Sequence, residues 1–345
     1  MDGLRQLIGS LSPSGAKGWT RREFFSALAV GALAGTGLLL GPRLLKPHFR
    51  ADTFIAKAPR YDLDLAGILL RGMRELGVTE KEIKGKRVLL KPNLVEASAA
   101  LPHINTHPLV VRGAVEAFLR LGAETVLVAE GPGHRRDTLE VLEESGLGTV
   151  LYEDGIPFLD LNYQAGYAVN NAGGASRLRT MMLPAILREV DWIVSVAKLK
   201  THHWAGVTLS MKNLFGMLPG IYYGWPKNIL HQAGIDRCIV DLAATIRPQF
   251  AIVDGIIGME GDGPIMGTPR HAGVLVLGRN LPAVDATCSR IMGVHPYRVS
   301  SLAMADRWLG PVSQTDIEQR GEAIAEVGTN FLLPEEIPMM RGLRG

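Results

Sequence analysis

Strand-like and helix-like stretches alternate through most of this chain, and that alternation limits its fold more than any other feature. From residue 52 onward the patterns predict a helix over 62–76, a strand over 87–91, a helix over 108–121 and a strand over 125–129. That order belongs to βαβ units. Further helices are expected over 136–144 and 184–190, a strand over 192–197, a helix over 236–246, strands over 250–254 and 273–277, and a helix over 283–292. The expected fold class is α/β, a mostly parallel sheet with helices on both faces. The loop-like stretch from Asn170 to Ala175 is a candidate divide between two lobes. No internal repeat or low-complexity tract is present.

In such sheets ligands bind beyond the carboxyl ends of the strands, and polar groups gather at those positions here. Lys91-Pro92-Asn93 closes the first parallel strand, the turn from Glu130 to His134 the second, a basic cluster the third and Asp254 the fourth. The cluster is the densest of these: an apolar run from Trp192 to Ala197 leads straight into Lys198, Lys200, His202 and His203. Residues two apart share a strand face, so Lys198, Lys200 and His202 are expected to project together. A helix over 207–215 would place Thr208 and Lys212 on one side with Asn213 beside them. Lysines as point charges, with Thr208 and Asn213 as neutral partners, suit a phosphate or a carboxylate.

Asp254, Glu260 and Asp262 lie on a glycine-rich stretch that ends at Pro264, an oxygen set for a hard divalent cation or a source of a general base, with ordinary turn chemistry as the alternative. Some of the nine histidines could ligate a transition metal, and His202 and His231 are the preferred candidates, His202 also as an acid or base and His231 because it stands at a helix start where its ring could face the same pocket. Asp285 reads as an early-helix carboxylate that complements the dipole. The Gly131-Pro132-Gly133 turn lacks the lysine-serine ending of a phosphate loop, and no serine sits in a nucleophile elbow. Only Cys238 and Cys288 are available, so neither a four-cysteine iron–sulfur cluster nor a thiolate zinc site can be built within the chain. Both lie in apolar helical patterns and read as buried thiols.

The first fifty residues differ in character. Arg21-Arg22 precedes an apolar stretch over 26–40, which resembles a twin-arginine export signal or an uncleaved signal anchor. Residues 1–50 are therefore read as signal and linker, 51–330 as the α/β domain and 331–345 as a C-terminal tail. The rest of the 345-residue chain has an ordinary globular composition, 47% hydrophobic with a net charge of +3. That charge is too small and too dispersed for nucleic-acid binding, and contact with a membrane is expected only through the N-terminal segment.

Lys91-Pro92-Asn93, Thr106-His107-Pro108, the run from Lys198 to His202, Thr208, the run from Lys212 to Gly216, Asp254 and the run from Met259 to Pro264 resemble, in order and spacing, the DUF362 family. The resemblance covers about residues 51–310. It implies one α/β unit with the lysine–histidine cluster as its site, but supplies no reaction. Some members carry an attached ferredoxin-like module whose cysteines this chain lacks, so an iron–sulfur cluster would have to come from a redox partner protein. The expected function is binding of a small anionic ligand, with or without a divalent metal. Lys200, His202 and Glu260 would act on it, and Lys91, Asn93, Lys198, Thr208, Lys212, Asn213 and His231 would hold it. A non-catalytic cofactor-binding or accessory role is the alternative.

Overall fold

The computed structural model describes residues 49–133, 136–306 and 308–345, so the twin-arginine motif, its apolar stretch and His134 lie outside the described residues. Eleven strands form among them. They are β1 (Ala51–Lys57), β2 (Arg87–Pro92), β3 (Thr125–Glu130), β4 (Phe158–Asp160), β5 (Gly166–Asn170), β6 (Thr180–Pro184), β7 (Trp192–His202), β8 (Gly206–Thr208), β9 (Phe250–Glu260), β10 (Thr268–Gly278) and β11 (Ile317–Gly321). One sheet runs in the order β11-β1-β10-β9-β7-β2-β3-β4, with β8 folded back on β7, and β5 and β6 pair separately. Strands β4, β3, β2, β7 and β9 are mutually parallel, whereas β10 runs against both β9 and β1. The sheet is thus mostly parallel, as expected.

Alternation along the strands divides the apolar side chains between two faces. Val88, Leu90, Val194, Val196 and Ile252 enter one core with helices α1 (Leu65–Glu75) and α2 (Pro108–Arg120). Leu89, Ile193, Ala197, Ala251 and Val253 enter the other with α3 (Asn228–Ile246) and α4 (Leu281–Ile291). The helices begin where capping chemistry allows. Asp64 accepts from the Gly67 N–H before α1, His107 Nδ1 from Leu109 N–H before α2, and Asn280 from Ala283 N–H before α4. Cys238 and Cys288 are free buried thiols, as the sequence predicted. No helix among the described residues is long and apolar enough to cross a membrane.

Several expectations are corrected. Strand β7 does not stop at Ala197 but continues buried through the lysines to His202. The expected helix over 207–215 begins instead with strand β8 and is helical only from Ser210, as a short α-helical turn, Ser210–Asn213, that runs into a 3-10 turn, Leu214–Met217. Gly206, at φ +76°, turns the chain so that Thr208 pairs with Lys200. The glycine-rich stretch after Asp254 is the second half of β9. Its glycines mark close packing, since a Cβ on Gly258 would lie 2.6 Å from the Leu199 carbonyl oxygen. The segment 184–190 forms only a single 3-10 turn, Ala185–Arg188.

The stretch over 170–175 does not separate lobes, because all the described residues form one compact unit. Asp241 of α3 accepts from Asn171 Nδ2, Ala175 N–H and Ser176 N–H and pins the loop down. Residues 331–345, read as a C-terminal tail, pack onto the domain, with Phe331, Met340 and Leu343 buried in its core.

Candidate functional site

A cavity of about 400 Å³ opens beyond the carboxyl ends of β2, β3, β7 and β9. Its size is that of a small-molecule site. Strand β2 delivers Lys91 and Asn93, β3 Glu130, β7 Lys200 and His202, β8 Thr208, and the turn after it Lys212 and Asn213. Trp204, Phe215 and Met266 supply apolar wall. Four lysines, Lys91, Lys200, Lys212 and Lys227, face a single carboxylate, Glu130. The site therefore gathers amino groups inside a chain of nearly balanced charge.

Most of these groups are locked in place. Lys91 Nζ lies 2.5 Å from Glu130 Oε2 and 2.8 Å from Asn213 Oδ1, and both members of the ion pair are almost fully buried. Asn213 Nδ2 donates to the Lys91 carbonyl and to Ser195 Oγ, so Asn213 acts as a hub between β2 and β7. Lys200 Nζ donates to the carbonyls of Ile104 and Pro264, at 2.8 and 3.3 Å. Lys227 Nζ donates to the carbonyls of Gly131 and Phe215, at 2.7 and 3.1 Å. Its backbone is left-handed at φ 65°, a conformation costing about 1–3 kcal/mol for a residue with a Cβ. That strain fits a residue held in place for its side chain.

The turn carrying Lys212 is fixed from α4. Asp285 accepts from Ser210 N–H at 2.8 Å, Ser210 Oγ at 2.5 Å and Met211 N–H at 3.0 Å. Asp285 is thus a positioning residue that reaches across to a neighbouring element. Burial raises its carboxyl to about 7, against the opposing effect of these hydrogen bonds.

Three polar groups in the cavity wall remain unsatisfied among the described residues. Thr208 Oγ1 and Asn93 Oδ1 are buried without a hydrogen-bond partner. Asn93 Nδ2 already donates to Asn213 Oδ1, which leaves its own Oδ1 as a pure acceptor. Lys212 Nζ has only the Phe215 ring beneath it, 3.9 Å from the centroid. Buried polar groups are rarely left unpaired, so Thr208 Oγ1 and Asn93 Oδ1 mark where a ligand fits, with the half-buried Lys212 amine beside them.

The two preferred histidines take opposite tautomers. His202 Nδ1 receives the N–H groups of Trp204 and Ala205, so it must be an acceptor and the proton sits on Nε2. His231 Nδ1 meets the Lys227 carbonyl, an acceptor, so Nδ1 carries the proton and Nε2 is free to accept. Burial, followed by the nearby Lys212 ammonium, holds both imidazoles below their ordinary range, far below in the case of His202. Both are neutral at pH 7. His231 is accordingly the base candidate and His202 a hydrogen-bond donor.

Burial also depresses the lysines. Lys212 is lowered to about 7, with Lys91 adding to the effect and Glu130 opposing it. Lys227 falls to about 7 for the same first reason. Lys200 is pushed far down by burial and then by Lys198, Lys212 and Lys91.

Four of the residues predicted for the site lie elsewhere. Lys198 sits one pleat behind the cavity in a buried pair with Asp254 at 2.8 Å, and Tyr61 Oη and the His107 and Ile256 N–H groups also donate to the carboxylate. Glu260 accepts from the Leu332 N–H and faces Arg270. Asp262 pairs with His203 at 3.1 Å. The three carboxylates thus have separate partners, and the expected shared oxygen set does not form. Among the described residues no three His, Cys, Asp or Glu side chains gather as a metal cage. Sequence reasoning did not place Lys227 or Glu130 in the site. Glu130 was visible as the polar end of β3, whereas nothing local marks Lys227.

A family model described as a domain of unknown function, DUF362, matches residues 88–290. A thylakoid-associated protein of Synechocystis sp. is 29% identical over 254 residues, covering 70% of this chain and 75% of that protein. Two solved structures resemble the chain distantly. The lactate racemase apoprotein from Thermoanaerobacterium thermosaccharolyticum is 13% identical with a TM-score of 0.41, and 71% of this chain matches 58% of it. A protein from Thermotoga maritima is 14% identical with a TM-score of 0.37, and 65% of this chain matches 57% of it.

Proposed function

The chain belongs to the DUF362 family, and from that premise we propose that its cavity binds a small carboxylate or phosphate and performs acid–base chemistry on it. The observation that carries the reading is the surplus of lysines, with Lys212 Nζ free of oxygen partners, around two buried unsatisfied groups, Thr208 Oγ1 and Asn93 Oδ1. Lys212 and Thr208 offer hydrogens to an anion, while Asn93 Oδ1 calls for a hydroxyl or N–H on the same ligand. His231 Nε2 is the group able to take a proton, and His202 Nε2–H the one able to hold developing negative charge.

Calorimetric titration of the full chain with inorganic phosphate and a panel of small hydroxy- and oxo-carboxylates tests this. Lys212→Met is expected to weaken the best ligand about tenfold or more, the usual scale of a charge-assisted hydrogen bond. Affinity should also fall as pH rises through about 7, where Lys212 and Lys227 lose their protons. The ligand-free protein should show the opposite trend. Its folded lysines release protons near 7 while the unfolded chain keeps them until near the ordinary 10.5, so stability rises with pH across that window. An affinity unchanged by Lys212→Met and flat across neutral pH would sink the reading. A ligand that binds but is returned unchanged would instead favour a carrier or accessory role beside an iron–sulfur redox partner.

Export is part of the same proposal. It is supported by the Arg21-Arg22 motif and, weakly, by the relative named for its thylakoid association. Arg21→Lys/Arg22→Lys is expected to retain the protein in the cytoplasmic fraction of its host. Undiminished export of that variant would remove the twin-arginine route.

A further inference from the structure

Lysine ammonium groups lie at or just behind the ends of the parallel strands, and all but one have oxygen partners. Lys91 meets Glu130, Lys198 meets Asp254, and Lys200 and Lys227 each meet two backbone carbonyls. Lys212 is the exception among the described residues, because its Nζ rests on the face of Phe215 and no oxygen accepts from it. We propose that Lys212 is an amine nucleophile that captures the carbonyl carbon of a small 2-oxo carboxylate in this cavity, an inference that rests on the anion-binding reading and deepens it.

Oxygen partners occupy a lysine's hydrogens and fix its amine in place, as they do for Lys91, Lys200 and Lys227. A nucleophile instead needs an available lone pair, apolar surroundings and neighbouring cations. Lys212 has all three. Phe215 lies under its Nζ, Trp204 and Met266 line the same cavity, and Lys91, Lys200 and Lys227 surround it with only Glu130 to offset them. Its amine is therefore half deprotonated near pH 7. His202 and His231 face the same space, both neutral, with the His203 and Asp262 pair beside them.

The chemistry balances without any further reagent. The Lys212 lone pair forms a bond to the carbonyl carbon and the C=O π pair moves to oxygen, and the proton given up by the attacking nitrogen passes through His231 Nε2 to that oxygen. A solvent proton relayed by the same ring then lets the hydroxyl leave as water with the C–O bonding pair, and the nitrogen lone pair closes the C=N bond of a protonated imine. The carbinolamine hydroxyl, or the iminium N–H, is the kind of donor that Asn93 Oδ1 lacks. The lysines with fixed positions and the His202 N–H are left to hold the carboxylate.

Treating the full chain with pyruvate and borohydride, followed by intact-mass and peptide mass spectrometry, tests the proposal. The expected result is one reduced adduct on Lys212, its yield rising with pH through about 7. The yield should fall at least about tenfold in Lys212→Arg, which keeps the cation but forms no imine. Lactate, which has no carbonyl, is titrated in parallel and should bind without forming an adduct.

Pyruvate that binds but leaves no adduct would overturn the inference while the anion-binding reading survives. Labelling that persists in Lys212→Arg would overturn it too, as would a midpoint near the ordinary lysine value of 10.5. If neither pyruvate nor lactate binds, the inference falls, and the titration with inorganic phosphate and the other carboxylates decides the anion-binding reading separately. The pH profile is measured on the unaltered chain, so it decides the matter even if the variant folds poorly.

Discussion

Asp254→Ala is expected to lower the unfolding free energy by about 4 kcal/mol or more, the scale seen when one partner of a buried ion pair is removed. The carboxylate and the Lys198 ammonium are both fully buried, so either one left alone would be an uncompensated charge in a low-dielectric interior. Asp254 also accepts from the His107 and Ile256 N–H groups and from Tyr61 Oη. Truncation therefore strands one cation and removes the acceptor of one backbone donor at the start of α2, His107, and of another in β9, Ile256. Lys198→Met is expected to cost less, about 3 kcal/mol, because those same donors continue to hold the carboxylate. Urea unfolding of the two variants and their double combination measures the ranking. A loss under about 1 kcal/mol for Asp254→Ala would mean that water reaches this pair.

Gly216→Ala should be nearly as damaging, and its effect falls on the cavity. A Cβ at this position would collide with Glu130 Oε1 and would lie 2.5 Å from Lys91 Cε and 2.6 Å from Lys91 Nζ. Flexible side chains normally move aside, but these two cannot. Lys91 is bound to Glu130, the Pro92 carbonyl and Asn213, and Glu130 also receives the N–H groups of Leu94 and Gly131. Separating the pair is expected to cost about 3 kcal/mol or more and to remove anion binding by displacing the Asn213 hub. A melting temperature within a degree or so of the parent, with binding intact, would show that the pair re-forms around the methyl group.

Much of this arrangement was legible in the sequence. Apolar runs closed by polar residues locate the carboxyl ends of parallel strands, and Lys91, Asn93, Lys200, His202, Thr208, Lys212 and His231 do line the cavity. Pattern alone could not reveal depth. Lys198 and Lys200 alternate identically along β7, but Lys198 is in register with Asp254 on the neighbouring strand and is drawn into that pair. Strand order decides this, and strand order is a long-range property. The glycines after Asp254 misled for a related reason, since close packing and loop flexibility select the same residue. Lys227 was invisible because its role depends on a left-handed backbone and on carbonyls from two distant segments. Asp285 was visible as a helical carboxylate, but its partners on the turn at Ser210 were not.

The opposite tautomers of His202 and His231 give the cavity a direction. One imidazole presents hydrogen and the other a lone pair, each fixed by backbone groups that the ligand does not touch. A molecule with a donor at one end and an acceptor at the other therefore fits in one orientation only, since the reversed pose would set hydrogen against hydrogen and lone pair against lone pair. The two faces of a flat carbonyl or enol are then unlike to the protein, and any proton delivered or removed here reaches one of them. Handedness in the product would follow from which backbone atoms the two rings already hold.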